Sequence, residues 1–461
     1  ENIFISGYVD HRGKLVKDLD LKEIQGAIEL FKKKNITSCA VVTKFCTRNF
    51  SHELEIKKLL EKYFSSITMG HSLSGKLNFP RRVFTSYLNA AVYNTFNDFS
   101  NNIKRSMARE GIDAPLYILK ADGGTTSLSA AEQHPVETIL SGPAASFMGL
   151  NALLNTHNDA LLLDIGGTTT DIFFLADGVP LFEPLGIEIG SYKTLVRALY
   201  SFSIGLGGDS SIAIKNGQLK IGPNREGTPY AFDGPKPTPT DALIALGLMK
   251  TGNKKKAIEA IKSLSAKLNL SPEDTAQKIL DTMGDMIKDT VDELLAKINS
   301  KPVYTLKELW HGKKVKPQLI NMIGGPAKFL QPILEDKFNL PCYFPKHYHV
   351  ANAIGAAMAR ITTDITMIAD TSQGTLSVPE LGVYEGIGRN YGLKTARHRA
   401  IDLLTERAIS LGATKGEIET EIVEESSFNM VKGFFTSGTN MRIKAQIKPG
   451  LIYELKGDKD D

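Results

Sequence analysis

Two acids, two glycines and three threonines stand together in Asp164-Ile-Gly-Gly-Thr-Thr-Thr-Asp171, directly after the apolar run Ala160-Leu-Leu-Leu163. Glycine lets the main chain come close to a ligand, so an apolar strand that delivers this octet can turn backbone N–H groups toward phosphate oxygens. The two carboxylates frame a place for hydrated Mg²⁺, an ion that keeps several waters and takes one or two carboxylates plus phosphate. Ile172-Phe-Phe-Leu175 and then Asp177-Gly178 follow, a second apolar strand and a hairpin turn signal. The octet therefore reads as a phosphate loop on a β-hairpin. A Walker loop would end in Gly-Lys-Ser/Thr and open a helix, and a Rossmann loop would space its glycines at a helix start; the octet does neither.

The elements around it alternate. A helical period over 19–35 precedes the β-branched run 36–43, which predicts a buried strand. Residues 51–63 and 81–109 predict helices and 116–119 a strand, an alternation that argues for a sheet-centred lobe with helices on its faces. A helical insertion spans 240–299. The Pro/Gly-rich stretch 222–240 is long enough to be a lid or substrate loop. Beyond Val350 a small-residue helix leads through a loop around Asp370 to a helix at 395–411 and to strands near 418–424 and 441–447.

Composition bounds the function without naming it. A chain of 461 residues exceeds the size at which one core stops growing. Its 55 basic and 51 acidic side chains nearly cancel, leaving no electrostatic footprint for nucleic acid or an anionic membrane. No apolar run reaches the length of a bilayer span and no signal peptide opens the chain, so a cytoplasmic location is expected. Cys39, Cys46 and Cys342 are too few and scattered for a disulfide framework or zinc ribbon. His52-Glu53 and His347-Tyr-His349 raise the question of metal ligation, since i and i+2 share one strand face, but they lack an evident third ligand.

The octet resembles the second phosphate motif of the actin-like ATPase superfamily. Three further segments occur in the order of that superfamily: Ser141-Gly-Pro-Ala-Ala-Ser146 at the first connection, Ile320-Asn-Met-Ile-Gly-Gly-Pro-Ala327 as the adenosine motif, and 350–359 as the second connecting helix. Within it, the chain resembles the hydantoinase/oxoprolinase family (N-methylhydantoinase A type) over nearly its whole length. The similar blocks are Ala121-Asp-Gly-Gly124, His134-Pro-Val-Glu-Thr-Ile-Leu-Ser-Gly-Pro-Ala-Ala145, the octet, Ser203-Ile-Gly-Leu-Gly-Gly-Asp-Ser-Ser-Ile212, Lys220-Ile-Gly-Pro223 and Thr238-Pro-Thr-Asp-Ala-Leu-Ile-Ala-Leu-Gly247. The C-terminal blocks 369–379 and 427–434 fit too. Asp209 stands where many members carry a third glycine, and 227–233 replaces a Pro-Gly-Pro-Ala-Cys-Tyr-like stretch. The first phosphate loop with which members open is not matched, so the chain is expected to be a fragment, one part of a split enzyme, or a lineage without that loop.

The resemblance implies an α/β, actin-like (ribonuclease H-like) two-lobe fold. Its expected parts are the remainder of an N-terminal lobe at 1–143, a nucleotide lobe at 144–348 carrying the insertion 240–299, a connecting helix and return segment at 349–395, and a small C-terminal α/β region at 396–461. It also implies ATP and Mg²⁺. Gly166, Gly167, Thr168 and Thr170 would meet the phosphates, Asp164 and Asp171 would hold the metal, and Thr169 would orient the attacking group. Gly205, Gly207, Gly208 and Asp209 would lie beside the nucleotide, with Asp209 near ribose, and Gly324, Gly325 and Pro326 would border adenosine. Asp122 and Glu137 are the acid/base candidates. The implied activity is ATP-dependent ring-opening of a cyclic amide or imide, of hydantoin or 5-oxoproline type, by phosphoryl activation of an amide oxygen. The alternatives are a subunit of an ATP-dependent ketone carboxylase and a non-catalytic nucleotide-binding or assembly subunit. The expected partners are a small cyclic amide and either further copies of the chain or a second hydantoinase-type subunit.

Overall fold

The computed structural model describes residues 1–154, 156–183, 185–300, 314–432 and 434–453. The chain divides into two compact units. The first comprises Glu1–Ser141, Glu183–Ala198 and Ala359–Ile452, and the second Gly142–Phe182, Leu199–Met358 and Tyr453–Asp461.

The second unit is built on the predicted hairpin. Strands Ala160–Ile165 and Thr170–Ala176 pair antiparallel with Asp164 opposite Asp171. Asp177 and Gly178 both take positive φ, 51° and 75°, the pair of left-handed residues that a tight hairpin turn needs. Strand Ser201–Ile204 lies antiparallel to Thr170–Ala176, and Leu319–Ile323 lies parallel to Ala160–Ile165. The ends of Ala160–Ile165, Ser201–Ile204 and Leu319–Ile323 therefore face one edge of the sheet, and each runs into glycines there. Ligands of open α/β sheets gather at that carboxyl edge.

Both sheet faces are covered, which is why the strands read as continuous apolar runs. Leu161, Leu163, Ile165, Ile172 and Phe174 join a core with the helices Pro239–Ala245, Lys254–Leu268 and Pro272–Ser300, the insertion expected at 240–299. On the opposite face Phe173 packs against Phe147 of the helix Ser141–Leu154, ring centroids 5.7 Å apart. That helix touches Ala351–Met358 backbone to backbone. A Cβ on Gly149 would lie 2.1 Å from the Ala351 carbonyl oxygen, and one on Gly355 would lie 2.3 Å from the Gly149 nitrogen. Small residues here serve close helix approach.

The first unit opens with α/β alternation. Helices Leu21–Lys33, Ser51–Leu60 and Phe79–Arg109 accompany the parallel strands Ser38–Val41 and Ser66–Met69. Its larger sheet is five-stranded and antiparallel, in the order Val383–Gly386, Thr375–Val378, Asp364–Asp370, Phe435–Ile447 and Thr420–Lys432. Helix Leu393–Ser410 buries Ala396, Ala400 and Leu404 against Ile365, Met367, Ile443 and Ala445.

This corrects the expected segmentation after residue 349. Strands drawn from both 349–395 and 396–461 hydrogen-bond into one sheet over one core, so no boundary falls at 395, and 359–452 clusters with the first unit. The loop expected around Asp370 is the turn between two of those strands. The segment 347–349 is not a strand either, because Tyr348–Val350 forms a 3-10 turn.

Candidate nucleotide site

The phosphate loop is closed and backed by its own neighbours. The Gly166 N–H donates to the Thr169 carbonyl at 2.9 Å, and the Thr170 hydroxyl donates to the Leu206 carbonyl at 2.6 Å. Both groups were predicted to meet phosphate, and both are instead committed to holding the turn. Among the described residues, the N–H groups of Gly167 and Thr168 and the Thr169 hydroxyl keep no internal partner, so these carry the free hydrogen-bonding capacity of the loop.

The second glycine turn lies on the first. Gly208 and Asp209 donate their N–H groups to the carbonyls of Gly166 and Gly167 at 2.9 and 2.7 Å. A Cβ on Gly207 would stand 2.5 Å from the Gly167 carbonyl carbon and oxygen, so this stacking needs glycine. On the other side, Gly324 at φ 102° approaches the hairpin so closely that its Cβ would lie 2.1 Å from the Ile165 carbonyl oxygen. Gly325 has open space beside it, and Pro326 is the N-cap of the helix Ala327–Phe338. The structure thus brings the glycine turns at Gly207-Gly208 and Gly324 onto the hairpin turn at Ile165–Gly167.

Asp164 and Asp171 face one another across the hairpin, and each has a serine. The Ser146 hydroxyl donates to Asp164 Oδ2 at 2.6 Å, and Ser203 lies opposite Asp171 in the neighbouring strand. Among the described residues neither aspartate has a basic partner within ion-pair distance. Burial raises the Asp164 pKa against the Ser146 hydrogen bond; burial and then the Asp164 charge raise that of Asp171 against Ser203. Two desolvated carboxylates side by side are stable as anions only with a cation between them or beside them. The pair fits Mg²⁺, which would neutralise phosphate charge there.

Arg225 and Asp241 were missed in the sequence. The Arg225 guanidinium spans Thr168 Oγ1 at 3.0 Å and Asp209 Oδ2 at 2.8 Å. Asp209, expected near ribose, is thereby tied through Arg225 to the tip of the hairpin, its other oxygen accepting from Thr240 Oγ1 at 3.3 Å. Asp241 is fully buried and accepts from the backbone of Tyr230, Ala231 and Thr238 at 2.7 to 3.0 Å. It fastens the far end of the 222–240 loop.

Asp122 and Glu137 belong to the first unit, where they line a polar cleft with Lys120 between them at 3.6 Å from each. Asp122 also accepts from the Gly124 N–H at 3.0 Å and from Thr362 Oγ1 at 2.9 Å. Burial would raise its pKa, but Lys120, Arg197 and these hydrogen bonds hold it below the ordinary value. Such a carboxylate is a fixed anion and a weak base. Glu137 is more exposed and takes none of those hydrogen bonds. Burial lowers the pKa of His134 in the same cleft, with Glu137 opposing and Arg407 and Lys120 adding to the effect; a neutral imidazole is a further proton acceptor that the sequence did not single out.

Comparison with known proteins matches residues 82–365, more than half of the chain, to the hydantoinase/oxoprolinase family, and residues 1–64 to that family's N-terminal region. The chain belongs to the hydantoinase/oxoprolinase family. It is 25% identical over 296 residues to caprolactamase subunit alpha of Pseudomonas jessenii, covering 60% of this chain and 42% of that protein. An uncharacterized protein of Methanocaldococcus jannaschii is 23% identical over 307 residues, 62% of this chain and 44% of that one. The chain spans less than half the length of these curated relatives. Among solved structures, the ATP-dependent caprolactamase of Pseudomonas jessenii aligns with TM-score 0.68 at 18% identity, over 98% of this chain and 70% of that one. Nucleotide-free acetone carboxylase aligns with TM-score 0.67 at 14% identity, over 96% and 69%. The α/β fold predicted from the sequence is the fold observed, and these two proteins share it. Among the described residues no helix is long and apolar enough to cross a membrane.

Proposed function

We propose that this protein opens a cyclic amide or imide at the expense of ATP, with the terminal phosphoryl group transferred to the amide oxygen. Amide resonance makes the ring carbon a poor electrophile. With phosphate on the oxygen, water attacks that carbon, the ring C–N bond breaks as the nitrogen takes a proton, and a second water hydrolyses the resulting acyl phosphate to carboxylate and free phosphate. Positioning and charge neutralisation account for most of such a transfer. The observation that carries the reading is the pair of half-buried carboxylates, Asp164 and Asp171, on a hairpin flanked by two further glycine turns. Family membership supports it, as does likeness to a protein called caprolactamase subunit alpha.

In this reading Gly167 and Thr168 bind phosphate through backbone N–H groups, Thr169 orients the attacking group, and Gly324, Gly325 and Pro326 border adenosine. Asp164 and Asp171 hold Mg²⁺, which supplies charge neutralisation. Glu137, beside Lys120, is the acid/base group. The setting is the cytoplasm, and the chain works with copies of itself or with a second hydantoinase-type subunit. A second reading, a subunit of an ATP-dependent ketone carboxylase, is favoured by the likeness to acetone carboxylase.

ADP release by the full-length protein separates them. Hydantoin, N-methylhydantoin, 5-oxoproline and caprolactam are offered singly, and acetone and acetophenone with bicarbonate. Stimulation by a cyclic amide is the expected result. Stimulation by a ketone alone, and only with bicarbonate and partner chains, would establish the second reading in its place.

A further inference from the structure

An exposed Arg–Asp pair is usually of little consequence, because water screens it. The pair Arg225–Asp209 is placed differently. Asp209 is only 17% exposed, its N–H is bonded to the Gly167 carbonyl, and its carboxylate contacts Thr240. Arg225 reaches back from the 222–240 loop to the hydroxyl of Thr168, at the tip of the phosphate hairpin. Three of its donors are fixed: Nε–H to the Gly227 carbonyl at 3.2 Å, Nη1 to Thr168 at 3.0 Å and Nη2 to Asp209 at 2.8 Å. A guanidinium has five N–H donors in a rigid fork, so one remains on each Nη. Two donors are therefore left over, the number that a bidentate contact to two phosphoryl oxygens uses.

The charge balance points the same way. On its own Asp209 would set a negative charge on the loop that meets phosphate. Burial already raises its pKa, against the pull of Arg225 and Thr240. Arg225 cancels that charge and is itself held in one orientation by it. An acid that would repel nucleotide becomes the anchor of a cation that attracts it.

We propose that Arg225, oriented by Asp209, binds the terminal phosphate of the nucleotide. The proposal rests on the nucleotide reading of this site and adds a residue that distinguishes ATP from ADP.

Calorimetric titration of the full-length protein with Mg-ATP and Mg-ADP tests it, with melting curves confirming that each variant folds. Arg225→Gln should weaken ATP by about tenfold to a hundredfold, the range for a lost charged hydrogen bond, and leave ADP little changed. Arg225→Lys should fall between, keeping the charge but losing the fork. Asp209→Asn combined with Arg225→Gln should recover part of the ATP affinity, because the unpaired carboxylate is gone. An unchanged ATP-to-ADP preference in Arg225→Gln, whether both affinities hold or both fall together, overturns the proposal while leaving the nucleotide reading intact. Failure of the parent protein to bind either nucleotide overturns both.

Discussion

Two groups of carboxylates partly or wholly withdrawn from water in this chain are treated in opposite ways. In the second unit Asp164 and Asp171 face each other with serines as their named side-chain partners, and their pKa values are pushed up. In the first unit Asp122 is buried and the Asp364 side chain is 35% exposed, and lysines and Arg197 hold both below the ordinary range against the effect of desolvation. Lys444 lies 3.2 Å from Asp364, and Lys120 3.6 Å from Asp122. One region supplies its own counter-charge; the other has no basic partner within ion-pair distance among the described residues. A buried carboxylate therefore does not announce its role by burial alone. What surrounds it does.

The largest effect should come from removing a built-in counter-charge. Lys120→Met strands Asp122 and Glu137 without their shared cation, and losing one partner of a buried ion pair costs roughly 3–5 kcal/mol. Thermal or urea unfolding should show it; near-parental stability would mean that the cleft is solvated and the contrast false. The pH dependence follows the same logic. Carboxyls with depressed folded pKa values contribute stability that is present above the unfolded value of about 3.9 and lost as pH falls through the folded values. Melting of the first unit should therefore be flat in this respect between pH 5 and 8 and decline below about pH 4.

In the other region Asp164→Asn should leave folding intact and lower ATP hydrolysis on the order of a hundredfold or more, as loss of a preorganised charged group does. Parental ATPase activity in the folded variant would refute its metal role. Next in size, Gly207→Ala forces a methyl group against the Gly167 backbone. Overpacking of this kind costs about 1–3 kcal/mol, and the separated loops should bind nucleotide poorly by calorimetry. The smallest effect sharpens the adenosine assignment. Gly325→Ala meets no protein atom, so its stability should stay within about 0.5 kcal/mol, while nucleotide affinity falls if the base or ribose passes there.

Local features were legible in the sequence. Apolar runs, Asp177-Gly178 and the octet are enough to specify the hairpin, because strand period, turn chemistry and glycine approach are all short-range. The helices Ser51–Leu60, Phe79–Arg109 and Leu393–Ser410 match their predicted spans within a few residues at each end. The long pair Thr420–Lys432 and Phe435–Ile447 was seen only at its buried end. Farther out Phe428, Val431 and Phe435 are exposed, and alternation fades where no face is covered. Arg225 and Ser146 escaped for another reason. A loop arginine reads as solvated and a helical serine as filler until the fold brings them to Thr168, 57 residues away, and to Asp164. The return of 183–198 and 359–452 to the first unit is likewise a long-range fact that no local pattern carries.

The most direct test of the central claim is the ratio of ADP to ring-opened product, measured together on the full-length protein with the cyclic amide that stimulates it most. Phosphoryl activation of the amide oxygen predicts equimolar formation of the two, with neither appearing when ATP or Mg²⁺ is withheld. Ring opening at full rate without ATP, or steady ADP release that no cyclic amide alters, would contradict it.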